Sequence, residues 1–410
     1  MASLRTTAGN ALLTLALAAS MTGAIPQPAL AADHVIKVGV ELPTSGTDAS
    51  DGVPMEQAVT LAVEQANAKA PKGFVFKVSA FDDTINGVHN PQQGVTNIRS
   101  LAADPSVVGV VGPFNSDVAA AEIPVSNQAL LPLVSPAATN PALTTAKYRP
   151  THPNIPTFFR VSASDDRQGR AAAYVAHQLG FKRVFVIDDN ETFGIGLADV
   201  FTGAAKGEGI TILGRDHLTT NQQDFVPLLT RIAQTRPDAI YYGGVTSTGG
   251  ALLRRQMGSA GLDPAKVAFL GSDGIFDEAF LKIAGPAANN TYFTAASPNI
   301  EKMSSARAFI HAYVDRFHAQ PTAFGANAYV AAQLIVDAAE RAIRASHGAA
   351  PTRAQVLANL RNTTSFHSII GTFSFDKNGE TTNPAMALWK IEGNRQVYLH
   401  AVDMRAVASL

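Results

Sequence analysis

VVGVVGPFNSD, residues 107–117, is the stretch that decides the fold class. The five apolar residues Val107–Val111 predict a buried strand, because the run is short and Gly112-Pro113 ends it. The residues after this turn, Asn115–Ser126, have the pattern of a helix. A buried strand that leads through a tight turn into a helix is typical of a parallel α/β sheet.

The segments on either side of this stretch repeat the same unit. Pro54 and Pro91 each predict the opening of a helix, because proline at the first helical turn costs no hydrogen bond. The neighbouring apolar runs predict strands at 35–40, 74–81 and 131–134. This β-α-β-α-β order predicts a parallel sheet with helices on both faces.

A second α/β unit of similar size is predicted to start at Phe158–Val161, with further strands at 184–187, 210–213, 239–242 and 267–270. The last third reads as helices 306–318, 324–346 and 352–362, followed by strands 371–376, 385–391 and 397–402, with a turn at 377–380. A separate third domain built from these elements would have only a small core. We therefore expect the helices to join the first lobe and the last strands to join the second lobe. The predicted lobes are therefore 32–160 plus 297–372, and 161–296 plus 373–410.

The N-terminus predicts export from the cytoplasm. Arg5 supplies a short positive region, residues 11–19 (ALLTLALAA) an apolar run, and Ala29-Leu30-Ala31 the small residues of a cleavage site. We therefore expect a signal peptide over 1–31 and a mature chain that begins at Ala32 or Asp33. An uncleaved N-terminal anchor is the alternative.

Composition and motifs argue against most enzyme classes. The chain has no cysteine, which excludes disulfides, thiolate chemistry and a lipoprotein anchor. A net charge of −1 with 16% charged residues does not indicate a basic surface that would bind nucleic acid. No nucleotide-binding, GxSxG or HExxH motif occurs, so no enzyme activity, cofactor or metal is predicted. His311 and His318 are expected on a solvated face, and the pairs Asp82-Asp83 and Asp188-Asp189 are expected to cap loops or to bind the neighbouring chain.

The ligand site is predicted from the ends of strands, because open α/β sheets bind ligands beyond the carboxyl ends of their strands. Asn115 and Ser116 lie at a helix N-terminus, where backbone N–H groups favour a carboxylate. The turn Ala137-Ala138-Thr139 has small side chains and one hydroxyl. Asp273, between glycines, could pair with an ammonium group.

Each of these segments also has a plainer interpretation. Asn115 or Ser116 could only cap its own helix. The turn at 135–140 could be an ordinary turn. Asp273 could make an Asx-turn with its own backbone.

Taken together, the segments resemble the Leu/Ile/Val-binding proteins of bacterial ABC transporters. The segments that carry the resemblance run in order along nearly the whole mature chain and are 38–40 with 45–46, 81–83, 111–116, 135–139, 159–160, 188–194, 241–244, 271–274 and 371–376. The resemblance implies the type I periplasmic binding fold, which has two Rossmann-like lobes joined by three hinge strands that close on the ligand.

The resemblance also implies roles for single residues. Ser116, Ala137 and Thr139 match positions that hold the α-carboxylate of the ligand, and Asp273 matches the acidic residue that meets its ammonium. Phe193 matches an aromatic residue that lines the cleft. Three departures are evident: Asp273 stands where glutamate is frequent, Phe193 lacks the hydroxyl of a tyrosine, and Val245 stands where an aromatic residue is frequent.

The predicted function is capture of an α-amino acid, with a branched or other apolar side chain, for an ABC permease in the inner membrane. The protein is expected in the periplasm as a monomer. Three alternatives stay open: a binder of an amide, urea or aromatic acid with the same fold, a sensory binding protein, and a secreted hydrolase.

Overall fold

The computed structural model describes residues 34–219 and 221–408. The predicted signal peptide, residues 1–31, lies outside the described residues, as do Ala32 and Asp33, at which the mature chain is predicted to begin. Within the described ranges, no helix combines the length and the hydropathy needed to span a membrane.

The described chain alternates strands and helices for most of its length. The strands are β1 (His34–Leu42), β2 (Phe74–Asp82), β3 (Thr84–Ile85), β4 (Val88–His89), β5 (Val107–Val111), β6 (Leu133–Ser135), β7 (Phe158–Arg160), β8 (Arg183–Asp188), β9 (Thr211–His217), β10 (Ala239–Gly243), β11 (Ala268–Gly271), β12 (Thr291–Ala295), β13 (Phe366–Ser368), β14 (Gly371–Phe373), β15 (Ala387–Glu392) and β16 (Arg395–Ala401). The helices are α1 (Ala49–Asn67), α2 (Pro91–Ala103), α3 (Ser116–Ala129), α4 (Asp165–Gln178), α5 (Thr192–Gly207), α6 (Val226–Gln234), α7 (Ala251–Gln256), α8 (Glu278–Ala284), α9 (Arg307–Phe317), α10 (Ala323–Ala345), α11 (Arg353–Arg361) and α12 (Met404–Ala408).

The first sheet has five strands in the order β2-β1-β5-β6-β7, and every neighbouring pair is parallel. The stretch VVGVV forms β5, near the middle of this sheet, and all five of its residues are buried. A parallel strand has both faces covered by helices, which is why this run is apolar without alternation. The parallel α/β sheet predicted from this stretch is confirmed.

The second sheet has seven strands in the order β16-β15-β12-β11-β10-β8-β9. Its five strands from β12 to β9 are parallel, whereas β15 is antiparallel to both of its neighbours. The last two strands of the chain therefore extend this sheet at one edge.

Separate apolar cores cover the two faces of each sheet. One core joins Val38 and Val108 to α9, α10 and α11 through Phe309, Ile335 and Leu357. The opposite face of the same sheet packs against α2 and α3. The first sheet, together with these helices and α1, forms the five-stranded side of the protein. The second sheet, together with α4 to α8, forms the seven-stranded side.

The chain passes between the two sides three times. It leaves the first sheet after Arg160, returns from the second after Ala295, and passes over again between Phe373 and Ala387. Parallel sheets place the carboxyl ends of their strands at one edge. These crossings set the carboxyl ends of the two sheets against each other, so that the segments after β5, β6, β8, β10 and β11 meet.

Four details of the predicted secondary structure are wrong. Helix α1 begins at Ala49 rather than at Pro54, which lies inside it, because the helix is already started by the turn at Asp48. The run at Phe158–Val161 does not open the second sheet but pairs with β6 as the edge strand of the first. Strand β12 is absent from the sequence prediction, and the strand predicted over 371–376 ends at Phe373 and pairs with β13.

Candidate functional site

A small cavity lies between the two sides, at the carboxyl ends of both sheets. Its lining residues come from both sides of the molecule and are Phe114, Asn115, Ser116, Asp117, Ala137, Glu191, Phe193, Val245, Asp273, Gly274 and Phe324. Six of the eight predicted site residues are therefore brought together here, and Ala138 and Thr139 are the two that do not line the cavity.

The turn after β5 presents the N-terminus of α3 to the cavity. Ser116 is the first residue of the helix, and its hydroxyl oxygen accepts a hydrogen bond from the Asn140 N–H at 3.3 Å. Asn115 occupies the cap position, but its side chain makes no capping hydrogen bond and its buried Oδ1 has no partner among the described residues. The capping interpretation is therefore wrong for the side chain of Asn115, whereas the Asp117 carboxyl accepts hydrogen bonds from the N–H groups of Asp117 and Val118 in the first turn of α3.

Ser135 shapes the turn after β6. Its Oγ donates to the Pro113 carbonyl at 2.7 Å and accepts from the N–H groups of Ala137 at 3.2 Å and Ala138 at 2.8 Å. Ala137 reaches the cavity wall, whereas Ala138 packs into the core on the α2 and α3 face of the first sheet. The small side chains predicted to let a ligand approach thus divide between the cavity and the core.

Thr139 lies beside a buried carboxyl group that no sequence motif marks. The Thr139 carbonyl accepts a hydrogen bond from the Asp165 N–H at 3.0 Å. The Thr139 hydroxyl and both carboxylate oxygens of Asp165 are buried without a hydrogen-bond partner in the described part of the chain. Burial, together with the negative charge of Asp273, raises the pKa of the Asp165 carboxyl well above its usual range.

Asp273 follows β11 and is 3% exposed. Its Oδ2 accepts a hydrogen bond from the Ala296 N–H at 3.0 Å, which ties it to the segment after β12. Burial raises the pKa of its carboxyl to about 6, although the backbone hydrogen bonds act in the opposite direction. The groups that lower the pKa of the Asp273 carboxyl are neutral backbone N–H groups and the side-chain amide of Gln168, so among the described residues no cationic side chain pairs with it.

Phe193 and Val245 form the wall of the cavity on the seven-stranded side. Phe193 belongs to the first turn of α5, and Val245 follows β10. The Val245 N–H donates to Asp189 Oδ2 at 3.3 Å, which fixes the loop after β10 to the loop after β8. Both side chains are apolar, so this wall suits the hydrocarbon part of a ligand.

Two further aromatic residues complete the apolar walls. Phe114 and Phe324 contact each other edge to face, with ring centroids 5.3 Å apart. Phe114 lies within the stretch that decides the fold, so its place near the ligand could have been predicted. Phe324 lies in the first turn of α10, more than 200 residues further along the chain, and no local signal marks it.

The histidine prediction is confirmed, and Asp82 and Asp188, which end β2 and β8, bond to a loop and to the neighbouring strand. His311 and His318 are exposed. Asp82 Oδ1 accepts hydrogen bonds from the N–H groups of Thr44 and Thr84, both at 3.0 Å, so it organises loops. Asp188 pairs with Arg215 at 2.8 Å on the neighbouring strand.

Comparison with known proteins agrees with this geometry. The family described as "Periplasmic binding protein" matches residues 35–396. The Leu/Ile/Val-binding protein BraC3 of Rhizobium johnstonii is 30% identical over 389 residues, which cover 94% of this chain and 98% of that protein.

Solved structures show the same fold. The branched-chain amino acid transporter substrate-binding protein LivJ of Streptococcus pneumoniae, in complex with isoleucine, is 26% identical, covers 89% of this chain and 99% of its own, and has a TM-score of 0.76. A solute-binding protein of an ABC transporter from R. palustris, in complex with benzoate, is 20% identical, covers 90% of this chain and 96% of its own, and has a TM-score of 0.75.

The match of the family over most of the chain, the two sheets that meet at the carboxyl ends of their strands, and the cavity between them lead to one assignment. The chain belongs to the periplasmic binding proteins, with the type I fold and of the Leu/Ile/Val-binding type.

Proposed function

We propose that this protein captures an α-amino acid with an apolar side chain in the periplasm and delivers it to an ABC permease. The proposed lobes are 32–160 plus 297–372, and 161–296 plus 373–410, which close around the ligand after the signal peptide has been removed. The protein acts as a monomer and catalyses no reaction. LivJ, a relative with the same fold, has isoleucine bound.

The observation that carries the proposal is the charge pattern of the cavity. The N-terminus of α3 at Ser116 offers N–H groups to a carboxylate from the five-stranded side, and Asp273 offers a carboxylate to an ammonium from the seven-stranded side. Between them lie the apolar side chains of Phe114, Phe193 and Phe324. An apolar α-amino acid carries these three chemical groups on neighbouring atoms.

The separation of the two charged positions explains closure. Because the carboxylate and the ammonium of one ligand contact opposite sides, the ligand binds the closed arrangement more tightly than an open one. Charge-assisted hydrogen bonds contribute about 1.5–3 kcal/mol each, and micromolar affinity requires about 8 kcal/mol. Charge-assisted hydrogen bonds at both charged groups of the ligand, together with the apolar wall, are sufficient for micromolar affinity.

An aromatic acid is the second candidate, because three phenylalanines line the cavity and the R. palustris relative holds benzoate. Asp273 opposes it: a benzoate has a carboxylate but no ammonium, so the buried Asp273 carboxyl would have to stay protonated or face a second anion. Amides, urea and a sensory role are further alternatives.

The test is a thermal-shift comparison of the mature protein with leucine, isoleucine, valine, benzoate and acetamide. A ligand at 100 times its Kd stabilises the folded protein by about 2.7 kcal/mol, which raises Tm. We expect the shift with at least one of the branched-chain amino acids. A shift with benzoate or acetamide and with none of the amino acids would contradict the proposed ligand class and keep the fold.

The affinity for the amino acid is expected to fall as the pH is lowered through 6. Burial raises the pKa of the Asp273 carboxyl to about 6, and only the ionised carboxylate attracts the ligand's ammonium. In the ligand-free protein the sign is opposite, since a carboxyl whose pKa is raised by folding costs stability as the pH rises from about 4 to 6. Titration calorimetry at pH 5 and pH 7.5 should show about 10-fold weaker binding at the lower pH. Equal affinities would show that Asp273 does not meet the ammonium.

A further inference from the structure

A buried histidine stands at the contact between the two sides, surrounded by carboxylates. His89 ends β4, Asp117 lies in the first turn of α3, and Glu191 precedes α5. One ligand atom from each of these three residues lies within 4.8 Å of the other two. The His89 side chain is 0% exposed, whereas Asp117 and Glu191 are partly exposed on the cavity wall.

The two distances from His89 Nε2 are close to those between ligand atoms of a tetrahedral metal site. His89 Nε2 is 3.1 Å from Glu191 Oε2 and 3.6 Å from Asp117 Oδ1. Bonds of about 2.0–2.2 Å at tetrahedral angles place neighbouring ligand atoms about 3.3 Å apart. The two observed distances lie on either side of that value.

The second nitrogen of His89 has the partner that a metal-binding histidine needs. His89 Nδ1 lies 2.7 Å from Asp48 Oδ2, and Asp48 is 5% exposed. Metal-binding histidines donate their other N–H to a carboxylate, which fixes the tautomer and the ring orientation. With the proton on Nδ1, the lone pair of Nε2 points toward the oxygens of Asp117 and Glu191, and this contact needs either a second proton on the ring or a metal ion between them.

Charge balance allows a dication in place of a proton. The ion pairs of Asp48, Asp117 and Glu191 all go to His89. An imidazolium would leave two of the three negative charges uncompensated, whereas a dication on a neutral imidazole would leave one. An imidazole with two carboxylates and an open fourth position is a ligand set that suits Zn²⁺.

We propose that His89, Asp117 and Glu191 form a Zn²⁺ site that joins the two sides of the protein, with Asp48 as the residue that positions His89. Two of the ligands belong to the five-stranded side, and Glu191 belongs to the seven-stranded side. The ion therefore binds the closed arrangement, and it does so beside the amino-acid cavity without occupying Ser116 or Asp273. Binding of Zn²⁺ and binding of the amino acid are consequently expected to favour each other.

The experiment is a titration of the metal-free mature protein with Zn²⁺ against a chromogenic chelator. We expect one Zn²⁺ per chain, a loss of affinity of at least about 100-fold in Glu191→Gln, and a loss of about 10–100-fold in Asp48→Asn, which removes only the outer carboxylate. Glu64→Gln is the matched control, since Glu64 is an exposed carboxylate paired with Arg316, and it should bind Zn²⁺ like the unchanged protein.

Small-angle scattering provides a readout of the bridge itself. Zn²⁺ should reduce the radius of gyration of the ligand-free protein and should have no such effect on Glu191→Gln, a partly exposed position at which the fold is expected to survive. Absence of stoichiometric Zn²⁺ binding, or equal binding by Glu191→Gln, would overturn the site and would identify His89 as an imidazolium bridge. Because amino-acid binding is measured separately in metal-free buffer, either result leaves the proposed function independently testable.

Discussion

Replacing Asp273 by asparagine is expected to weaken amino-acid binding by about 30-fold or more, because loss of one partner of a buried charge pair costs about 2–5 kcal/mol. Asparagine has nearly the same shape, and its amide oxygen can still accept the hydrogen bond from the Ala296 N–H. The fold should therefore survive, and the ligand's ammonium alone loses its counter-charge. Titration calorimetry with leucine, isoleucine and valine measures the effect.

Asp263→Asn is the control for this prediction. Asp263 also lies in a loop of the seven-stranded side and accepts a hydrogen bond from the Ala265 N–H, but its side chain is 50% exposed and pairs with Lys266. The Asp263→Asn variant should bind the ligand with the same affinity as the original protein. If Asp273→Asn bound within about threefold of the original protein, the carboxylate would serve only to hold the Ala296 segment, and the ammonium would lie elsewhere.

The sequence predicts the frame of the cavity because that frame depends on local patterns. Each apolar run that precedes a glycine or proline is a strand that ends at a turn, and parallel strands bring such turns to one edge. Ser116, Ala137, Val245 and Asp273 are all within a few residues of such an end. Their meeting in one cavity is thus a consequence of chain order and sheet direction.

The site residues that the sequence does not indicate lie on elements far away along the chain or on very short strands. The helix α10 is expected on the first lobe, but no pattern in its first turn marks Phe324 as a residue of the cavity. His89 lies in β4, a strand of two residues that pairs only with β3. Asp165 lies in the first turn of α4, where an acidic residue is common, so its sequence position does not indicate a special role. Only the fold shows that its carboxyl is buried near Asp273.

Strand β12 illustrates a different limit. Its residues, TYFTA, are mostly strand-favouring and are bounded by Asn289-Asn290 and Ser297-Pro298, so the local pattern is that of a short strand which the sequence prediction left out. In the structure it pairs with β11 on one side and with β15 on the other, which buries it. Local preference and long-range pairing therefore agree for this segment.

Arg160→Met is expected to destabilise the protein by about 3–5 kcal/mol, the usual cost of breaking a buried ion pair by removing one partner. Arg160 ends β7 and is 0% exposed. Its Nε donates to Glu380 Oε2 at 2.8 Å, its Nη2 donates to Glu380 Oε1, and its Nη1 donates to the carbonyls of Ala138 at 3.0 Å and Asn140 at 2.9 Å. Methionine fills part of the volume but leaves the carboxylate and both carbonyls without these donors. Urea denaturation gives the loss of unfolding free energy.

The same substitution should also weaken amino-acid binding, since Arg160 connects the turn after β6 with the third crossing of the chain. That turn carries Ala137 into the cavity wall, and the crossing that contains Glu380 joins the two sides. Arg316→Met is the matched control: its pair with Glu64 is exposed on both partners, so stability and ligand affinity should both stay nearly the same. Equal stability losses in the two variants would mean that the Arg160 pair contributes no more than a surface ion pair. A large loss of stability without any loss of affinity would restrict Arg160 to holding the fold, with no part in positioning the turn.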